Sequence, residues 1–295
     1  MTLSETHIFS ADIEEYFQVS AFEPYVSRAS WDARPSRVER STDRLLDLLD
    51  RHGSTGTFFT LGWVARHHPH VVRRIVGAGH ELASHGFWHR RIWSQSPSEF
   101  RDDIRDAKAA LEDASGTAVT GYRAPTFSMT PRTAWAWDIL IEEGYRYDSS
   151  IFPVRRPGYG FPGAPPYPHL IRRPAGELLE LPIATLSVAG VRVPAGGGGY
   201  LRQLPFQLIH RAFRKLSTAG SPGMFYIHPW ELDPEQPRIP CPWLTSVRHY
   251  RGLERTVPRL ERLLSTFKFT SVARRFRDEL EGGPLGGASP RAATS

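Results

Sequence analysis

The chain has 295 residues, 40% of them hydrophobic and 23% charged, which is enough apolar mass for one large core and excludes overall disorder. Its single cysteine, Cys241, excludes an intramolecular disulfide and a multi-cysteine zinc cage, so any metal must be held by histidines and carboxylates. The net charge of +6 invites an acidic-polymer partner, but only three of the 37 basic residues are lysines and asparagine is absent, so the arginine excess reads first as the coding bias of a GC-rich genome.

In chain order, Thr6 to Asp12 reads as a strand. Ser36 to His52 carries a helical stripe (Val38, Leu45, Leu46, Leu48, Leu49), with Ser36 and Glu39 as a capping box and Gly53 as the stop. Thr57 to Leu61 is a strand, Pro69 to Ala78 a helix and Glu81 to Ser84 a strand; Ser96-Pro97-Ser98-Glu99 opens a helix to about Ser115 with a second capping box. Gly121 to Arg123 extends, Thr130-Pro131 starts a helix that Gly144 closes, and Tyr145 to Ser149 extends again. Pro153 to Gly176, rich in proline and without a helical stripe, reads as a long loop. Then come strands over Glu177 to Leu186 and Val188 to Val193, a helix over Leu204 to Leu216, a strand over Met224 to His228, a helix over Leu253 to Phe267 and a strand over Phe269 to Val272. This alternation predicts an α/β fold with parallel strands, one domain over about residues 5–280, and a disordered tail over 281–295. Met1 to Tyr16 lacks the basic and apolar regions of a signal peptide and no window approaches the ~20 apolar residues of a membrane span, so a cytoplasmic protein without a span is expected.

Chemistry-bearing residues gather at the ends of predicted strands. Ser84-His85-Gly86-Phe87-Trp88-His89 places two histidines four apart, able to face one way if the segment turns helical, as a divalent metal requires of two imidazoles. The first strand ends Asp12-Ile13-Glu14-Glu15; a side-chain period of two puts Asp12 and Glu14 on one side, at the carboxyl end where parallel sheets keep their sites. Gly121-Tyr122-Arg123-Ala124-Pro125 offers an arginine to orient a carboxylate, Tyr147-Asp148-Ser149-Ser150 another carboxylate, and Tyr226-Ile227-His228-Pro229-Trp230-Glu231 a third histidine. His67-His68-Pro69-His70 falls at a helix start and reads as surface, while Gly158 to Gly163 has dinucleotide-loop spacing in the wrong context, with Pro162 inside it and no helix after it. With no nucleic-acid module and basic residues spread along the chain, nucleic acid is not an expected partner.

The joint pattern resembles the NodB-type polysaccharide deacetylases, carbohydrate esterase family four, from about Ile8 to Trp230. Asp12 to Val19, Gly197 to Arg202, His228-Pro229-Trp230-Glu231 and Arg248-His249-Tyr250 look like the subgroup associated with exopolysaccharide and exosortase loci. The resemblance implies a distorted (β/α) barrel, one divalent metal, usually zinc, and removal of N-acetyl groups from an amino-sugar polymer. It implies His85 and His89 as metal ligands, Asp12 as catalytic base, Arg123 as its anchor, a backbone N–H near Thr126 for the oxyanion and His228 as general acid. Where the family commonly has a second aspartate this chain has Ile13, so strand alternation nominates Glu14 as third ligand, with Glu15 as the alternative if the backbone bulges. Asp148 lacks the tryptophan that often follows in the family, leaving open whether it orients His228 or supports the fold. Trp88 and Trp230, with Trp93 and Trp243, are candidate sugar platforms, and the Pro153 to Gly176 loop a candidate groove wall. A cyclic-amide hydrolase similar to allantoinase and a non-catalytic glycan-binding protein are the competing readings.

Overall fold

A computed structural model describes residues 6–156 and 159–281; the Gly158 position and nearly all of the expected tail lie outside the described residues. The elements run β1 (His7–Ile13), α1 (Val38–Arg51), β2 (Thr57–Thr60), α2 (Gly62–His67), α3 (Pro69–Gly77), β3 (Glu81–Ser84), α4 (Pro97–Ser115), β4 (Gly121–Tyr122), α5 (Ala136–Glu142) and β5 (Tyr147–Asp148). They continue with β6 (His169–Arg173), β7 (Gly176–Glu180), β8 (Thr185–Val188), β9 (Val191–Pro194), α6 (Gly198–Gln203), α7 (Phe206–Thr218), β10 (Met224–Ile227), α8 (Trp243–Tyr250), α9 (Thr256–Thr266), β11 (Phe269–Thr270), α10 (Val272–Arg275) and α11 (Arg277–Glu281).

The main sheet has the order β10-β1-β2-β3-β4-β5-β7-β6, with β11 also on β1, and every pairing in it is parallel except β6 with β7. The chain leaving β7 meets β10 through a parallel bridge from Ile183 to Met224, so the sheet curls towards its own first strand by isolated bridges and not by a full ladder. β1 lies second from the β10 end, paired with β10, β11 and β2, and all seven of its residues are buried. A strand covered on both faces reads as a near-continuous apolar run, which is what Ile8-Phe9 and Phe58-Phe59 supply.

The register sets the level of the site. Ile13 pairs with Thr60, Thr60 with Ser84, Ser84 with Tyr122, Tyr122 with Asp148, and Asp148 with Glu180, forming one rung across six strands. The next residue along each parallel strand stands one step higher, which brings Glu14, His85, Arg123 and Ser149 to a common level at the carboxyl ends. Ala11 pairs with Ile227, so Asp12 and His228 follow as neighbours.

Four local expectations change. Ser36 does not cap α1: its hydroxyl donates to Glu15, whose carboxylate also accepts the N–H groups of Arg37 (3.0 Å) and Val38 (3.2 Å), so a side chain from outside the helix satisfies these donors. The Pro153 to Gly176 segment is not wholly irregular, because β6 pairs antiparallel with β7 across a Pro174-Ala175 turn and widens the sheet edge. The strand expected over Glu177 to Leu186 breaks after Glu180, where Pro182 has no N–H for a ladder, and β8 and β9 form a separate hairpin. Glu281, expected to open the tail, ends α11.

Candidate metal and catalytic site

Glu14, His85 and His89 are buried, and one ligand atom from each lies within 4.8 Å of the others. The His85-to-His89 segment reaches this arrangement as a loop, not a helical turn. Gly86 (φ 73°) and His89 (φ 52°) adopt left-handed backbone, and the Asp103 carboxylate on α4 accepts the N–H groups of Phe87 (2.9 Å) and Trp88 (3.2 Å). A Cβ at Gly86 would stand 2.8 Å from Asp103 Oδ2, so glycine is required there on both counts. Asp103 was not singled out from the sequence, since an acid in a long helix carries no local sign of a partner 15 residues back.

His85 Nδ1 donates to the carbonyl of Arg123 (2.8 Å), which fixes the tautomer and leaves Nε2 as the lone-pair donor. Burial pushes the His85 pKa down to about 4, so the ring is neutral at pH 7 as ligation requires. Glu14 Oε1 accepts from the Trp230 indole (3.1 Å), whereas Oε2 is buried and makes no aligned hydrogen bond although His89 Nε2 stands 2.9 Å away. Burial alone would raise the Glu14 carboxyl, but His89, His228 and His85 outweigh it and hold it down at about 2. Two imidazoles and a carboxylate, with a close oxygen–nitrogen pair that no proton bridges well, fit a borderline divalent cation such as zinc. Glu15, the alternative ligand, is turned away and engaged at the start of α1.

Asp12 and Arg123 form a fully buried pair: Arg123 Nη1 donates to Asp12 Oδ1 (2.6 Å), while Nε and Nη2 donate to Ser149 O (3.1 Å) and Oγ (2.9 Å). The guanidinium carbon lies 4.0 Å from the Phe59 ring centroid, which packs the cation in place. Asp12 Oδ2 faces His228 Nε2 at 3.8 Å. His228 Nδ1 bonds Glu231 Oε1 (3.0 Å), and Arg202 Nε donates to Glu231 Oε2 (3.0 Å), a chain that runs from buried Arg202 and Glu231 to half-buried His228. Burial pulls His228 down, but the Glu231 bond and the charges of Glu14, Glu231 and Asp12 outweigh it and raise its pKa to about 9. A Cβ at Gly198 would meet Glu231 Oε1 at 2.4 Å, so this glycine at the start of α6 lets the backbone lie against the carboxylate that Arg202 of the same helix grips.

The orienting partner of His228 is therefore Glu231, which sequence reasoning quoted but gave no role; its sign was the His-Pro-Trp-Glu spacing, in which the fourth residue folds back on the first. Asp148 is buried on the other side of Ser149, accepting from Trp137 Nε1 (2.9 Å) and Ser150, and burial raises its pKa to about 6 beside the buried Glu180. It supports the loop that carries Ser149 and Ser150 under Arg123 and Ala124. Trp230 corrects another expectation: it is 6% exposed, its two faces stack on His228 (4.9 Å) and His249 (4.2 Å), and its indole N–H serves Glu14, so it offers no open sugar platform. Trp88 is half-buried against Trp31 (6.1 Å), and Trp243 is exposed. Thr126 lies on a strained turn (φ 59°, with Phe127 at 50°) and shares a hydrogen bond with Ser20.

Residues 26–147 match the polysaccharide deacetylase family, and residues 149–277 match a domain of unknown function (DUF3473). Residues 26–147 are thus similar to the polysaccharide deacetylases. It is 31% identical over 99 residues to a chitooligosaccharide deacetylase of Bradyrhizobium sp. (strain ANU 289), covering 34% of this chain and 43% of that protein. It is 29% identical over 108 residues to a peptidoglycan deacetylase of Helicobacter pylori, covering 37% of this chain and 36% of that protein, so these matches span less than half of either relative. The fold of the chain is similar to a Mycobacterium smegmatis structure described as a polysaccharide deacetylase (TM-score 0.64, 19% identity, 97% of this chain and 94% of that one). It is nearly as similar to an allantoinase (TM-score 0.63, 17% identity, 95% of this chain and 92% of that one). His85, His89 and Arg123 lie in the deacetylase match; Arg202, His228 and Glu231 come from the second.

Proposed function

We propose that the protein is a divalent-metal-dependent hydrolase that removes N-acetyl groups from an N-acetylhexosamine polymer or oligosaccharide, serving exopolysaccharide production. The observation that carries this reading is the placement of Asp12 Oδ2 and His228 Nε2, 3.8 Å apart, beside the Glu14–His85–His89 set. Glu14, His85 and His89 would hold the ion, which when bound supplies Lewis acidity that activates water and polarises the acyl oxygen. Arg123 occupies Oδ1 of Asp12 and leaves Oδ2 free to accept the proton of the attacking water. His228, kept protonated by Glu231, carries that proton's counterpart to the departing amine nitrogen. Both transfers occur at atoms already facing one space, and no covalent intermediate is required. The backbone N–H near Thr126, on a strained turn, would meet the oxyanion.

The fold is as close to an allantoinase as to a deacetylase, so the cyclic-amide reading is separated by substrate and not by architecture. The purified protein, reconstituted with zinc, should release acetate from chito-oligosaccharides, leave allantoin intact and lose acetate release in His85→Ala. Glycan binding by the metal-loaded protein without any acetate release would make it a binding module, and turnover of allantoin alone would make it a cyclic-amide hydrolase.

A further inference from the structure

The His67-His68-Pro69-His70 run takes no part in the site above. His68 is the joint between α2 and α3: its N–H donates to the carbonyl of Val64 (2.7 Å), its own carbonyl accepts from Val71 (2.9 Å), and Pro69 opens α3. This joint holds the His68 and His70 rings 6.0 Å apart, facing Glu39 in the first turn of α1. Glu39 Oε1 is 3.2 Å from His68 Nδ1 and 2.7 Å from His70 Nε2, and one ligand atom from each of the three lies within 4.8 Å of the others. Donor atoms around a tetrahedral zinc-like ion with bonds of about 2.0–2.1 Å stand roughly 3.3 Å apart, which the Glu39–His68 distance matches, while the 2.7 Å Glu39–His70 distance would open slightly on binding.

The His70 contact is the telling one. His70 Nε2 is buried and makes no aligned hydrogen bond, although a carboxylate oxygen lies 2.7 Å away. Glu14 Oε2 and His89 Nε2 stand in the same relation at 2.9 Å in the catalytic cluster. His68 Nδ1 does hydrogen-bond Glu39 Oε1, a proton that ligation would displace, but at His70 the nitrogen and the oxygen stand together without an aligned N–H, an arrangement that suits a shared cation. His67, by contrast, is occupied, with Nδ1 on the Trp63 carbonyl (2.8 Å) and Nε2 near Asp32 (3.3 Å).

We propose that Glu39, His68 and His70 form a second binding site for a divalent cation of the zinc, cobalt and nickel class, separate from the Glu14–His85–His89 set. Two imidazoles and one carboxylate select this class over magnesium or calcium, which take oxygen ligands. The cation ties the start of α1 to the α2–α3 joint, two segments 29 residues apart in the chain, and so acts on stability and not on turnover.

The test uses the full chain stripped with chelator and titrated with cobalt alone, followed by visible absorption and by metal analysis after dialysis. Glu39→Gln and His70→Ala replace side chains that are 44% and 41% exposed, so the fold is kept and circular dichroism verifies it. Each variant should lose one equivalent relative to the unsubstituted protein, or bind it at least tenfold more weakly, and lose the matching part of the metal-induced rise in melting temperature. His89→Ala should remove a different equivalent and leave that rise in place. Unchanged stoichiometry and affinity in both Glu39→Gln and His70→Ala would overturn the proposal and leave these residues an ion pair only.

Discussion

Adjacent glutamates at the end of β1 have opposite duties. Glu14 faces the two histidines, and Glu15 satisfies the first N–H groups of α1. Glu14→Gln should abolish tight metal binding at that cluster while leaving the melting temperature of the metal-free protein within a few degrees. Glu15→Ala should do the reverse, costing about 2 kcal/mol in urea unfolding through loss of the cap with metal stoichiometry intact. Similar logic applies to Glu231. Glu231→Gln keeps the shape but removes the charge that holds His228 protonated and balances Arg202, and kcat for acetate release should fall about 10²-fold with little change in KM. An unchanged kcat would exclude the relay. Strand alternation made Glu14 legible in the sequence because a side-chain period of two is set by the backbone itself. Trp230 was not legible: its burial depends on His249 arriving from α8, a long-range contact that leaves no local pattern.

Among elements, those with strong local signals were readable and those defined by pairing were not. The α4 capping box, with Ser96 accepting from the Glu99 N–H and Gly116 closing in left-handed backbone, follows from chemistry within one turn. β6 was hidden because five residues of mixed character become a strand only when β7 supplies the ladder. The β8–β9 hairpin shows the same dependence, and its turn is chemically imperfect: Ala189 (φ 48°) and Gly190 (φ 77°) both need left-handed backbone, which glycine accepts and alanine resists. Ala189→Asn should therefore stabilise the hairpin by up to about 1 kcal/mol, read as slower amide exchange in β8 and β9 and a small rise in melting temperature. Faster exchange would show that the turn gains nothing from asparagine there.

At the scale of the molecule, the first strand, which precedes the stretch matching the deacetylases, is paired with a strand from the second matched stretch. β10, from the second stretch, lies directly against β1, so His228 and the first-strand carboxylates meet only when these two strands pair across some 210 residues of chain. The opposite end of the same sheet carries two buried histidines whose neutral form is structural. His7 Nδ1 accepts the N–H of Gly223 (3.0 Å) and His80 Nδ1 accepts that of Gly56 (3.1 Å), so protonating either ring destroys a buried bond. Burial lowers both pKa values from 6.5 to about 4. In the unfolded chain each ring takes a proton near pH 6.5, whereas in the folded protein each waits until about pH 4. Between those values unfolding takes up protons, so the stability these rings contribute is fully present above about pH 6.5 and is lost as pH falls to about 4. Urea unfolding free energies measured across that window should decline with falling pH, and His7→Gln or His80→Gln should each flatten the slope by about one proton. In the folded protein, the imidazole resonances of His7 and His80 should hold their neutral shifts down to about pH 4. Titration of both near pH 6.5 would mean the rings are not locked as acceptors, and the acid sensitivity would have to come from elsewhere in the molecule.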